Sequence, residues 1–176
     1  MLKKETPELE IISGYTVGLI AKITEIHAHY YAEVAGFGQE FESVIAAGLA
    51  EFSKRLPNPQ NGIWTVRSGE EILGSVAIDS EDLGHQKAHL RWFIIDSCIR
   101  GSGYGKKLLD TALRFVDTQS FSETHLWTFS GLNAAKYLYE KRGFLLKDET
   151  KGTQWGSEIM EQHFIRHSPK IEVFFS

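Results

Sequence analysis

The segment Arg100-Gly101-Ser102-Gly103-Tyr104-Gly105-Lys106-Lys107 is where residue types and spacing most directly imply chemistry. It follows an apolar strand pattern and opens an amphipathic helix pattern. A turn in that place presents free backbone N–H groups at the positive end of a helix dipole, which suits phosphate oxygens. Glycines let the backbone come close to such a ligand. Arg100, Lys106 and Lys107 add positive charge, and no acid interrupts them. Two phosphate loops are excluded by count. A Walker loop ending at Gly105-Lys106 needs Gly at 100 and Ser or Thr at 107, where Arg100 and Lys107 stand. A dinucleotide loop G-x-G-x-x-G needs Gly at 106 or 108, where Lys106 and Leu108 stand.

The pattern that fits is R-x-x-G-x-G, from Arg100 through Gly103 to Gly105. With it the sequence resembles the GNAT superfamily of acyl-CoA-dependent N-acetyltransferases. A second signature agrees: Ala135-Lys136-Tyr137-Leu138-Tyr139-Glu140-Lys141-Arg142-Gly143-Phe144 is similar to that family's A-x-x-L-Y-E-K-x-G-F helix end. Three further stretches, Leu90 to Asp96, Leu126 to Phe129 and Gln154-Trp155-Gly156, resemble the acetyltransferase half of MarR-type regulator fusions. The chain departs from the family pattern at Ser97, where many members carry Pro, and at Leu132, where many carry Asn. Asn133, one residue on, is expected to be a helix N-cap.

The resemblance implies acetyl-CoA as co-substrate and an amine acceptor; the spacing of the histidines gives no metal site. The loop residues Arg100, Gly101, Ser102, Gly103, Tyr104, Gly105 and Lys106 would cradle the diphosphate. Phe93, Ile94 and Ile95 would hold the pantetheine arm through backbone groups, one N–H facing the thioester oxygen. Acetyl transfer needs a neutral amine, a stabilised oxyanion and a protonated leaving thiolate. The family motif makes Tyr139 the general acid, with Tyr137 the weaker candidate. By position His89 occupies the slot of the family's general base, and an imidazole can take a proton near neutrality. A structural histidine with a water chain as base remains open.

The other rings and the single thiol carry weaker signals. His27, His29, Tyr30 and Tyr31 either contact an acceptor or pack a helix on the sheet. Trp155 either lines the acceptor site or packs. His163 and His167 are four apart, about 13 Å in a strand, too far to chelate together. Cys98 has no base at a recognised spacing.

These residues must be carried by particular elements. Residues 9–18 read as a strand, Leu19–Ala35 and 41–56 as helices, and 57–62 as a Pro/Gly loop. Residues 63–67 and Glu71–Asp79 form a hairpin about Ser68-Gly69-Glu70. Lys87–Ile95 is a strand, with Leu90, Trp92 and Ile94 expected on one face and His89, Arg91, Phe93 and Ile95 on the other. A helix runs to about Thr118, with Leu108, Leu109, Ala112, Leu113 and Val116 inward. Residues 125–129 read as a strand and 133–141 as a helix. Gly143 is a left-handed stop. Residues 144–149 and 159–165 form a closing antiparallel pair. The implied fold is an α/β GNAT-like mixed, mostly antiparallel sheet of six to seven strands with helices on both faces, in a single domain, 1–176.

Composition bounds the reading. At 176 residues the chain can bury a core without staples, and one cysteine excludes a disulfide framework and a multi-cysteine zinc module. A net charge of −4 argues against nucleic acid as partner. Met1 to Pro7 lacks an apolar signal core, and no run is long enough for a membrane helix. The expectation is a cytoplasmic acetyltransferase with no membrane partner, and it admits a homodimer. Its rivals are a non-catalytic acyl-CoA sensor module and a structural domain.

Overall fold

The computed structural model describes residues 8–169. The stretch 1–7 lies outside the described residues. The elements run β1 (Leu9–Ser13), α1 (Leu19–Ala35), α2 (Gln39–Ser53), β2 (Gly62–Ser68), β3 (Glu71–Asp79) and β4 (Lys87–Ile95). After a single 3-10 turn (Ser97–Ile99) come α3 (Tyr104–Thr118), β5 (Glu123–Phe129), α4 (Asn133–Glu140), β6 (Leu145–Gly152) and β7 (Ile159–His167). They form one seven-stranded sheet in the order β1-β2-β3-β4-β5-β7-β6. Every neighbouring pair is antiparallel except β4 and β5.

Apolar side chains divide between the two faces. On one face α3 lays Leu108, Leu109, Ala112, Leu113 and Val116 over Val66, Val76, Ile78 and Leu90, with Tyr139, Phe144 and Phe164 continuing the cluster. On the other, Leu19 and Ile23 of α1 and Phe41, Ile45, Leu49 and Phe52 of α2 cover Ile63, Ala77, Trp92 and Phe129. The first strand ends at Ser13 rather than running to residue 18, because the chain turns at Gly14, φ +94°. Gly143 is left-handed as expected, φ +86°.

Two backbone features open the middle of the sheet. The parallel pair β4–β5 holds register only at Lys87↔Glu123, Ala88↔Thr124 and His89↔His125, and then the strands part. β4 also bulges: its register against β3 shifts between Ser75 and Ala77, and Trp92 sits at φ +48°, uncommon for a bulky residue. The Ser75 hydroxyl donates to Trp92 O at 2.7 Å and holds the bulge. The extra residue reverses the alternation. Leu90 faces α3, Trp92 faces α2, and Phe93 and Ile95 return to the α3 side. The expected single faces, Leu90 with Trp92 and His89 with Phe93, are therefore corrected. A glycine in mid-α2 makes room for the re-aimed indole: a Cβ on Gly48 would lie 3.1 Å from the Trp92 ring.

Candidate active site

The parting of β4 from β5 leaves a cleft of about 700 Å3. Phe93, Ile94 and Ile95 form one wall, and Thr128 to Ala135 form the other. Arg100, Gly101 and Gly105 lie at one end, with Leu138 and Tyr139 of α4 behind. Beyond His89 the edge of β4 toward β5 has no strand partner, so alternate backbone N–H and C=O groups of residues 90–95 face open space.

The loop into α3 is built as its glycines suggest. Gly101 and Gly103 have φ +81° and +85°, a conformation that side chains disfavour. The first helical bond runs from Lys107 N–H to Gly103 O. The N–H groups of Gly101, Gly103, Gly105 and Lys106 have no acceptor among the described residues. Ser102 and Gly103 are exposed at the rim, as is the Lys106 side chain. The Tyr104 hydroxyl donates to Leu9 O at 2.6 Å and staples the loop to β1, while its amide donates to Ser102 Oγ at 3.4 Å. Arg100 leans into the cleft, its Nε donating to Ile95 O at 3.2 Å and its guanidinium 4.3 Å above the Tyr30 ring. Among the described residues, a Cβ built on Gly101 or Gly103 would meet nothing within 4 Å.

A second cavity, about 200 Å3, lies on the α1–α2 face. It shares Tyr31, Phe93, Thr128, Phe129 and Tyr139 with the cleft. Tyr139 is 6% exposed, whereas Tyr137 is 57% exposed and faces away. Burial, reinforced by the neighbouring Tyr31 and Tyr30, pushes the Tyr139 phenol well above its ordinary value, so it is protonated at neutral pH. His89 lies in the second cavity, its Nδ1 2.6 Å from Asp82 Oδ2 and its ring edge-on to Trp127 at 5.0 Å. The fold brings His89 and Tyr139 to one cavity but leaves His89 outside the cleft.

Residues 21–144 match the model of the Acetyltransferase (GNAT) family. The chain belongs to that family. Among relatives of this GNAT chain, human N-acetyltransferase 8B is 23% identical over 171 residues, covering 93% of this chain and 75% of the relative. Mouse N-acetyltransferase 8 is 29% identical over 119 residues, covering 65% and 52%. Two solved structures share the fold. A GNAT-family acetyltransferase of Staphylococcus aureus has a TM-score of 0.70 at 17% identity, covering 92% of this chain and 100% of that one. The yncA protein of Salmonella typhimurium, solved with its cofactor acetyl-CoA, has a TM-score of 0.72 at 14% identity, covering 96% and 98%.

Other residues of this GNAT domain settle into place around the two cavities. His27 lines the second cavity. Burial lowers its pKa to about 4, and its ring bonds Ile23 O at 2.8 Å, so it is neutral at pH 7. Trp155 both lines that cavity and packs on Phe129 at 5.7 Å. Cys98 is exposed and lines neither space, and the hydrogen bond with Asp96 pushes its thiol up, away from thiolate. Asn133 is the first residue of α4, with Leu132 at the cap and no side-chain cap bond. The expected N-cap is therefore corrected, and Asn133 lines the cleft instead. Sequence spacing gave no signal for Asp82, which reaches His89 from the β3–β4 loop. Nor did it reveal the pairing of His125 Nδ1 with His163 Nε2 at 2.8 Å across β5 and β7. Among the described residues no group of three or more His, Cys, Asp or Glu could hold a metal, and no helix is long and apolar enough to cross a membrane.

The loop conformation can be tested by itself. A Cβ on Gly103 would meet nothing within 4 Å, so Gly103→Ala carries only the backbone cost of φ +85°, about 1–2 kcal/mol. The cost falls on the left-handed conformation that precedes α3 and presents the amides, in the free chain as well as on binding. Acetyl-CoA affinity is expected to drop by up to about tenfold by calorimetry, with a small fall in the melting temperature of the free protein. Unchanged affinity would show that these amides do not hold the ligand.

Proposed function

We propose that this chain, acting as a single domain, transfers an acetyl group from acetyl-CoA to an amine of a small molecule or peptide by direct attack in a ternary complex. The observation that carries this reading is the placement of Tyr139 in the wall shared by two cavities. One is a cleft ending at bare amides, and the other is a small aromatic chamber holding His89. The residues present suit acetyl-CoA, which would supply an activated acyl group. The amides of Gly101, Gly103, Gly105 and Lys106, with the charges of Arg100 and Lys106, would hold its diphosphate, with Ser102 and Tyr104 completing the loop. The open edge at Phe93, Ile94 and Ile95 would take the pantetheine arm, one N–H polarising the thioester oxygen.

Within this reading Tyr139 donates a proton to the leaving sulfur. His89, oriented by Asp82, takes the proton that the amine loses, directly or through water. Direct attack is favoured because Cys98 stands outside both cavities with a raised pKa. The likeness to the acetyltransferase half of MarR-type fusions belongs to this proposal too. The stretches that carry it supply most of the second cavity's wall: Leu90 to Phe93, Leu126 to Phe129, Gln154 and Trp155.

Titration calorimetry with acetyl-CoA, followed by a thiol-release screen over amines, peptides and aminoglycosides, tests the reading. Binding together with amine-dependent release of CoA is expected. Binding with no release from any amine would favour a sensor module, and no binding would remove both.

A further inference from the structure

The second cavity carries information about the amine that enters it. Its walls are aromatic from four directions: Tyr31 of α1, Phe41 of α2, Trp92 of β4 and Trp127 of β5 all line it. Its charged wall residue is Arg91, and no carboxylate is among the lining residues. The Arg91 guanidinium lies 4.0 Å over the Trp92 ring, and a Cβ on Gly48 of α2 would come 3.4 Å from its Nη2. It spends one hydrogen bond, from Nη1 to Asp79 Oδ2 at 3.0 Å, and the same Nη1 lies 3.8 Å from Asp82 Oδ2, which leaves Nε and Nη2 without an acidic partner. Asp79 already receives two bonds from Arg55, at 2.7 Å each. Arg91 is therefore not needed to satisfy that carboxylate. Of the five N–H donors that arginine has, the rest find no acceptor among the described residues.

A planar fork of unspent donors at the wall of an apolar chamber is a carboxylate receptor. An aromatic cage alone would suit a quaternary ammonium. Here the wall supplies its own cation, which repels a second one. From Arg91 to Phe93, whose side chain borders both cavities, is two residues of strand, about 7 Å at most. A ligand bridging that span would carry its carboxylate within a few bonds of the amine at the acetyl end.

We infer that the acceptor is an amino acid or close analogue. Its carboxylate pairs with the Arg91 guanidinium, its apolar or aromatic side group fills the cage of Tyr31, Phe41, Trp92 and Trp127, and its amine faces Tyr139. This deepens the acetyl-transfer reading and takes from it only that the amine enters by this cavity. It also makes Arg91 a specificity-determining residue.

Matched pairs that differ only in the carboxylate test the inference: L-phenylalanine against phenethylamine, and L-tryptophan against tryptamine, by thiol release. In parallel, N-acetyl-L-phenylalanine and N-acetylphenethylamine are titrated against the fluorescence of the wall tryptophans, a readout that needs no turnover. The carboxylated member is expected to have at least tenfold higher kcat/KM, and its acetylated product at least tenfold tighter binding. Both preferences should vanish in Arg91→Met and be partly kept in Arg91→Lys, which retains charge but loses the fork. Comparison within the wild type does not depend on either variant folding. Equal or reversed preference in the wild type overturns the inference, even if thiol release proves acetyl transfer. A tenfold product preference without thiol release from any amine would uphold the carboxylate site while removing the transfer reading.

Discussion

Tyr139→Phe is expected to lower kcat for acetyl transfer about 100-fold, the usual scale for losing a positioned general acid. Acetyl-CoA affinity should stay within about twofold. The two effects separate because the substitution removes one oxygen and leaves the packing. The ring keeps its contacts with Phe93, Phe144 and Phe164, at centroid distances of 6.0, 5.9 and 6.2 Å. The hydroxyl is not among the fully buried polar atoms left without a partner, and Tyr139 borders both cavities, so its removal should cost folding little. Burial raises the phenol far above the ordinary thiol value, which at first sight makes it a poor donor. The same burial raises the leaving thiol, because the developing sulfur anion is also kept from water. The two groups thus move together, and proton donation stays within reach. The sign for pH follows. A phenol with a raised pKa stays protonated from acid through mildly alkaline solution, so Tyr139 adds no alkaline fall in kcat below about pH 10. Single-turnover rates and calorimetry on the two proteins check this. A variant that keeps more than a third of wild-type kcat would remove Tyr139 from the chemistry.

What could be read from the chain alone was whatever depends on local backbone needs. Gly143 announces a left-handed stop, and the structure puts it there; the Gly-rich turn announces a close backbone approach, and Gly101 and Gly103 deliver it with positive φ. The amphipathic periods of α1 and α3 give their faces, because a helix carries its pattern without outside help. The strand Lys87–Ile95 shows the opposite case. Its bounds are right, but Trp92 at φ +48° reverses the alternation, and nothing in a run of apolar residues marks where a bulge falls. The cleft itself comes from β4 and β5 separating after three pairs, a relation between strands far apart in the chain. Asn133 failed as a cap for a related reason. The turn at Gly131, φ +99°, brings Leu132 to the cap position and lets the Asn133 side chain turn toward the cleft. Asp82 and the His125–His163 pair were illegible because loops and cross-strand register bring them together, not spacing.

The second cavity should be most sensitive, in stability, to a carboxylate that does not line it. Asp79 ends β3 with its side chain wholly removed from solvent. It receives Arg55 Nη1 and Nη2 at 2.7 Å each, Arg91 Nη1 at 3.0 Å and Glu81 N–H at 3.1 Å. Burial alone would raise its pKa. The Arg55 and Glu81 hydrogen bonds, the Arg55 charge and the Arg91 bond outweigh that and hold it below the ordinary carboxylate value. Removing one partner of a buried ion pair typically costs 3–5 kcal/mol. Asp79→Ala belongs at the lower end, about 3 kcal/mol, because Arg55 keeps Glu51 and Glu81 and both guanidiniums retain access to water. Asp79→Asn keeps shape and one acceptor and should lose less. The pH window follows from the lowered pKa. The stabilisation is complete above the unfolded value near 3.9 and is lost as pH falls through the lower folded value. The gap between wild type and Asp79→Ala in urea denaturation should therefore be constant from pH 7 to about 5 and narrow below about 4. A loss under about 1 kcal/mol at pH 7 would show that the pair is no better than a surface bridge. Because Arg91 is steadied by this carboxylate, the variant should also raise the KM of a carboxylated acceptor more than that of its decarboxylated partner. A purely global destabilisation would move both alike.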